Sequence, residues 1–169
     1  CRSYYHSYKL PVVIIRGNNV YGPNQFPEKI IPKFTMHLLN DEKCTIHGKG
    51  ETRRNFIHAI DVARAIDIVL QKGEINQIYN IGSKNEFTVM EVYNKLCDHF
   101  GKDKKDNIEY IEDRCFNDFR YCIDCTKLKE LGWEEEISFE EGFKSTIEHY
   151  ISKKEHYNEC LQQAANLCK

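Results

Sequence analysis

The chain is predicted to be an α/β protein, on three observations. Two short apolar runs, Val12-Val13-Ile14-Ile15 and Ile78-Tyr79-Asn80-Ile81, each stop at a glycine-containing pair, as strands of a parallel sheet do. Segments of helical period alternate with them, among them residues 30–39 and 62–71. Thr88-x-x-Glu91 and Ser138-x-x-Glu141 are capping boxes that mark two further helix starts.

Composition narrows the function classes. The 169 residues are 41% hydrophobic and 30% charged, the balance of a globular chain. A net charge of -2 gives no nucleic-acid footprint, so no nucleic acid is expected as a partner. No apolar run approaches the roughly 20 residues that span a bilayer, so no membrane is expected either, and no secretory signal opens the chain. Eight scattered cysteines read as reduced thiols of a cytoplasmic protein. Cys122-x-x-Cys125 has no second pair of matching spacing, and no metal is expected. No internal repeat or low-complexity tract is present.

In order, residues 1–8 read as the last turns of a helix, ended near Lys9-Leu10-Pro11. A helix tail feeding a strand looks like a chain cut from something longer. Residues 12–15 read as a strand buried on both faces, and 16–29 as a polar, glycine- and proline-punctuated binding loop at its end. A helix follows over 30–39, then short strands over 44–47 and 53–58 around the turn Gly48-Lys49-Gly50. Asp61 is the expected N-cap of a helix whose apolar face is Val62, Ala65, Ile66, Val69 and Leu70, closed by Gly73. A strand over 78–81 precedes the helix that Thr88 caps, which runs to about Phe100 before Gly101. Strands are expected over 108–111 and 119–123, with a polar loop between, and helices over 126–131 and from Ser138 through Tyr150. Residues 153–169 are helix-permissive, without a clear partner face.

Polar groups gather at the strand ends: Asn19 and Lys29, His47 and Arg54 about the glycine turn, Asn80, and Arg114 with Asp118. Arginine offers a planar fork to phosphate, and asparagine offers donor and acceptor to sugar hydroxyls. Together they suit an anionic, hydroxyl-rich ligand. Each also has an ordinary structural reading: arginines paired on the surface, asparagines satisfying their own turns, a histidine that packs.

The ordered set is more specific than its members. NNVYGPNQFPEKIIPKF, IHGKGETRRNFIHAIDVARAI, YNIG, and EDRCFNDFRY followed by LGW resemble the carboxyl-terminal half of nucleotide-sugar 4,6-dehydratases, which are extended short-chain dehydrogenase/reductase enzymes. Those acting on dTDP-glucose match best, with UDP-glucose as the near rival. A related epimerase or decarboxylase, or a noncatalytic sugar-nucleotide-binding remnant, is the alternative. The resemblance covers residues 1–150 and implies the last strands of an NAD(P)-binding Rossmann-like fold interleaved with a small α/β substrate-binding domain. Residues 151–169 form a helical tail of unknown role. It implies NAD as cofactor, bound mainly by an amino-terminal half that carries the glycine-rich loop and a Tyr-x-x-x-Lys pair; neither is expected here. Tyr5 and Lys9 have that spacing but stand immediately before the strand rather than a helix earlier, so no catalytic residue is expected in this chain. It further implies a homodimer packed through the helix that ends at residues 1–7.

By the same resemblance, Asn19, Lys29 and the backbone at Ile30 hold the sugar nucleotide, and Thr45, Ile46 and His47 line its base. Arg54 and Arg114 take the diphosphate, Asn80 and the loop through Asp118 complete the pocket, and Val20 stands on the nicotinamide side. Cys115-Phe116 replaces the usual Pro-Gly, and His47 a common aromatic.

Overall fold

The computed structural model describes residues 1–113, 115, 116, 118–120 and 123–167. In chain order its elements are α1 (Arg2–Tyr8), β1 (Ile14–Gly17), β2 (Asn19–Tyr21), α2 (Ile30–Leu39), β3 (Cys44–His47), β4 (Arg53–His58), α3 (Ala59–Lys72) and β5 (Ile78–Ile81). There follow β6 (Glu86–Thr88), α4 (Val89–Phe100), β7 (Ile108–Ile111), α5 (Thr126–Glu130), α6 (Phe139–Ser152) and α7 (Lys154–Leu167). Parallel pairing dominates: β1 with β5, β2 with β4, and β3 with β7, while β6 adds antiparallel to β4. None of the helices described is long and apolar enough to cross a membrane.

Strand β4 contributes to two different cores. Its side chains alternate across the sheet. Phe56 enters one cluster with Tyr21, Ile31, Phe34, Ile46, Leu96 and Phe139, beneath α2, α4 and α6. Ile57, the next residue, enters a second with Ala65, Val69, Tyr79, Ile81, Leu128 and Trp133, beneath α3 and α5.

Several expectations are corrected. The first strand lies two residues later than the apolar run, and its residues are half-buried or exposed rather than covered on both faces. The reason is pairing: among the described residues β1 hydrogen-bonds only to β5. The polar segment after it is partly strand, because β2 joins β4 through Asn19 opposite Phe56 and Tyr21 opposite His58. Ile66 and Leu70 of α3 are exposed, since the inward stripe runs through Val62, Ala65, Ile68 and Val69. Of the expected strand over 119–123, the described residues show the bridge from Arg120 to Arg53, and Tyr121 and Cys122 lie outside them. The tail does have a partner: α7 packs Tyr157 and Leu161 against Met36 and Leu39 of α2.

Asp61 is not the cap of α3. The cap lies three residues earlier at His58, whose Nδ1 accepts the Ile60 N–H at 3.3 Å. That fixes the ring proton on Nε2, which is buried and has no partner among the described residues. Burial pulls the His58 pKa below the ordinary 6.5, against a smaller opposing pull from Asp61. His149 is lowered as well, by burial and then by Lys153. A folded-state pKa below the unfolded one means the native state binds fewer protons. Stability is therefore full above about pH 6.5 and is lost as pH falls below it. The expected result is a melting temperature that drops on acidification below about 6.5. His58→Asn, which keeps a capping acceptor without a titrating ring, flattens that drop. Unchanged pH dependence in the variant counts against this assignment.

The capping box at Thr88 forms in full. Thr88 Oγ1 accepts from Glu91 N at 3.0 Å, and Glu91 Oε2 accepts from Thr88 N at 2.7 Å. The second bond, made by the carboxylate to a backbone N–H, lowers the Glu91 pKa.

Candidate functional site

A cavity of about 670 Å³ opens where β2, the start of α2, β3 and β4 meet, within the size range of roughly 300–1,000 Å³ usual for small-molecule sites. Its aromatic wall is Phe34, Phe56 and Phe87. Its polar rim carries Asn18, Asn19, Gln25, Lys29, Thr45, His47 and Arg54, with Val20 and Ile30 beside them.

Local structure places each of these. The period-2 alternation of β3 turns Thr45 and His47 to the cavity while Cys44 and Ile46 are fully buried in the core. The side chain of Ile46 is thus on the opposite face, in the core, and is not among the residues lining this cavity. Arg54 sits on β4 opposite Phe87 of β6, and its Nη1 donates to the carbonyls of Arg53 at 2.7 Å and Phe119 at 3.5 Å. Those bonds orient the guanidinium at the rim. Lys29 is the N-cap of α2 and its ammonium lies 2.9 Å from Glu28, in a pair open to solvent on both sides.

The start of α2 is built to receive negative charge. Its cap residue supplies no side-chain hydrogen bond and its first turn holds no acid. The N–H groups of Ile30 and Ile31 therefore stand uncapped at the cavity wall, with the positive end of the helix dipole behind them. Lys33, one turn on and half-buried, adds a third cation beside Lys29 and Arg54. Two buried polar atoms at the same cavity, Asn18 Nδ2 and His47 Nδ1, have no hydrogen-bond partner among the described residues. Buried polar atoms are seldom left so, and both are placed where they can bond a polar ligand.

The remaining expected residues lie elsewhere. Asn80, the third residue of β5, does not line the cavity, and its Nδ2 donates to the Asp124 carbonyl at 3.1 Å. Asp118 is exposed and does not line the cavity. Arg114 lies outside the described residues. Gln25, Lys33, Phe34, Phe56 and Phe87 were not singled out from the sequence. Gln25 and Lys33 carried a usable signal, being polar within the segment that holds Lys29, whereas the phenylalanines look like any core residue.

The family profile for GDP-mannose 4,6 dehydratase matches residues 1–146. The chain belongs to that family. Within the GDP-mannose 4,6-dehydratase family, the chain is 48% identical over 153 residues to a trifunctional UDP-glucose 4,6-dehydratase/UDP-4-keto-6-deoxy-D-glucose 3,5-epimerase/UDP-4-keto-L-rhamnose-reductase of Arabidopsis thaliana, covering 90% of this chain and 23% of the relative. It is 41% identical over 189 residues to a dTDP-D-glucose 4,6-dehydratase of Dictyostelium discoideum, covering 92% and 44%. Its fold superposes on the crystal structure of dTDP-glucose 4,6-dehydratase from Bacillus anthracis in complex with NAD, with a TM-score of 0.84, 40% identity, and coverage of 90% of this chain and 49% of that one. The chain spans less than half the length of these relatives. The α/β architecture with parallel strands is that of Rossmann-like members of the GDP-mannose 4,6-dehydratase family.

Proposed function

We propose that this chain is the substrate-binding half of a nucleotide-diphosphoglucose 4,6-dehydratase, which removes water from dTDP-glucose to give a 4-keto-6-deoxy sugar. The observation that carries the reading is the convergence of Lys29, Arg54 and the uncapped start of α2 on one cavity with an aromatic wall. A diphosphate brings two negative charges to three sources of positive potential, and charge-assisted bonds to such groups are the strong kind. The aromatic wall and the Thr45–His47 edge take the flat base, and Asn18 and Asn19 supply donors and acceptors for hydroxyls. Holding the nonreacting nucleotide positions the hexose for chemistry performed by other groups.

NAD is the cofactor of this reading, and it supplies the hydride acceptor and donor. The residues present do not form its site. The sequence contains no Gly-x-Gly-x-x-Gly turn to cradle a pyrophosphate, and only Val20, on the cavity wall, is assigned toward the nicotinamide. The whole protein on this reading is a homodimer joined through α1, a helix that buries none of its own residues.

A second reading is UDP-glucose as substrate, favoured by the higher identity to the Arabidopsis relative than to the Dictyostelium one. Assay of the full-length protein with NAD and each sugar nucleotide separates them. A 4-keto-6-deoxy product from dTDP-glucose is expected, the same product from UDP-glucose alone selects the second reading, and a 4-epimer without dehydration overturns both. The 169 residues by themselves are expected to bind UDP or dTDP but to show no turnover, and turnover by them refutes the division of labour.

A further inference from the structure

The strongest unassigned feature lies outside the cavity, where the end of α6 and the start of α7 meet the loop that precedes α2. Tyr150 is fully buried, and its hydroxyl donates to the backbone carbonyl of Gln25, 125 residues away in sequence. Gln25 Nε2 in turn donates to the Val20 carbonyl at 2.7 Å, and both Gln25 and Val20 line the cavity. Tyr157, 5% exposed, packs against Tyr150 with ring centroids 4.4 Å apart and the ring planes tilted by 45°. His149 Nε2 lies 2.9 Å from the Tyr157 hydroxyl.

The loop needs outside support. Gly22 has φ +152° and Asn24 φ +66°, both in the positive region that L residues rarely adopt. Its internal backbone bonds are long, Gln25 N to Gly22 O at 3.4 Å and Lys29 N to Phe26 O at 3.3 Å. The other end of α2 is tied by the same helix. Lys154 Nζ donates to the Leu39 carbonyl at 2.7 Å, and Asn158 pairs its amide with Asn40. So α7 backs the tyrosine that bonds the loop in front of α2, and itself ties the last turn behind it.

We infer that Tyr150 and Tyr157 are positioning residues that latch the loop of residues 22–29 and thereby set the placement of Gln25, Lys29 and the first turn of α2 at the cavity. The inference rests on the reading that this cavity receives the nucleotide diphosphate. Both tyrosines lie past residue 146, where the family match ends. The latch is therefore assigned by the structure of this chain rather than by the match.

Tyrosine-to-phenylalanine substitution separates the latch from plain packing, because the ring stays and only the hydroxyl goes. In the full-length protein, Tyr150→Phe and Tyr157→Phe are compared with the parent by amide hydrogen exchange over residues 22–29, by calorimetric Kd for UDP and dTDP, and by thermal melting. Faster exchange at 22–29, with Kd raised roughly three- to tenfold, the equivalent of one ordinary hydrogen bond, is expected. Unchanged exchange at those amides overturns the latch, as does faster exchange with unchanged Kd or a lowered melting temperature alone. If the parent binds neither nucleotide, the reading of the cavity fails, and the exchange data still decide whether the tyrosines hold the loop.

Discussion

Asp61→Ala is expected to lower folding stability by about 3–5 kcal/mol, the largest single effect in this chain. The Asp61 carboxylate is fully buried and accepts from Glu136 N at 3.2 Å and from Ile137 N at 3.0 Å. Oδ1 also receives Arg64 Nη1 at 3.0 Å, and Arg64 reaches on to Glu136. The Asp61 carbonyl accepts from Trp133 Nε1 at 3.0 Å. One side chain thus ties the first turn of α3 to the segment that enters α6. Removing it strands two backbone donors, at about 1–3 kcal/mol each. The Arg64 contribution is smaller, because its guanidinium is about a third exposed and water replaces part of what is lost. Asp61→Asn is expected to fall between, since one amide group then faces a donor with a donor. Urea unfolding followed by the fluorescence of Trp133, the single tryptophan, reads the shift at the affected contact. A midpoint change equivalent to less than about 1 kcal/mol sinks the assignment.

Arg54→Ala is expected to weaken binding of dTDP and UDP by about 1.5–3 kcal/mol, roughly ten- to 150-fold in Kd. The guanidinium stands at the cavity rim with its orientation fixed by two carbonyls. Arg54→Lys keeps the charge but gives up the planar fork, so partial recovery is expected. The measurement is calorimetry at fixed ionic strength, because a half-exposed cation is screened by salt. An unchanged Kd in Arg54→Ala removes the diphosphate from this rim, and a common loss of stability in both variants would identify Arg54 as a scaffold residue instead.

What was legible in the sequence follows from which interactions are local. Helix α2 and strands β3, β4, β5 and β7 occupy the residues expected of them, because apolar period and flanking turns decide those elements. The Thr88 box was readable because both partners lie within one turn. Strands β2 and β6 were not, being three residues each and formed only by pairing with β4. Asp61 had the composition of a cap, but contacts 75 and 76 residues away claimed its carboxylate. At the candidate site, polar side chains after strand ends could be picked out, but Ile46 was grouped with Thr45 and His47, and only the folded β3 shows it on the other face. The phenylalanine wall and the α7 contacts depend on tertiary packing that no short window of sequence contains.

The alternation along β4 constrains how this segment can change. Arg54 and Phe56 serve the cavity side, and Ile57 belongs to the other core. Sliding the strand by one position would bury a guanidinium under α3 and offer an isoleucine where an anion is to be met. Such a frame error injures the interior and the binding face in one stroke. Length variation between Gly48 and His58 is therefore expected to be far less tolerated than in the mostly exposed Asp103–Asp106 turn, which pairs with no strand.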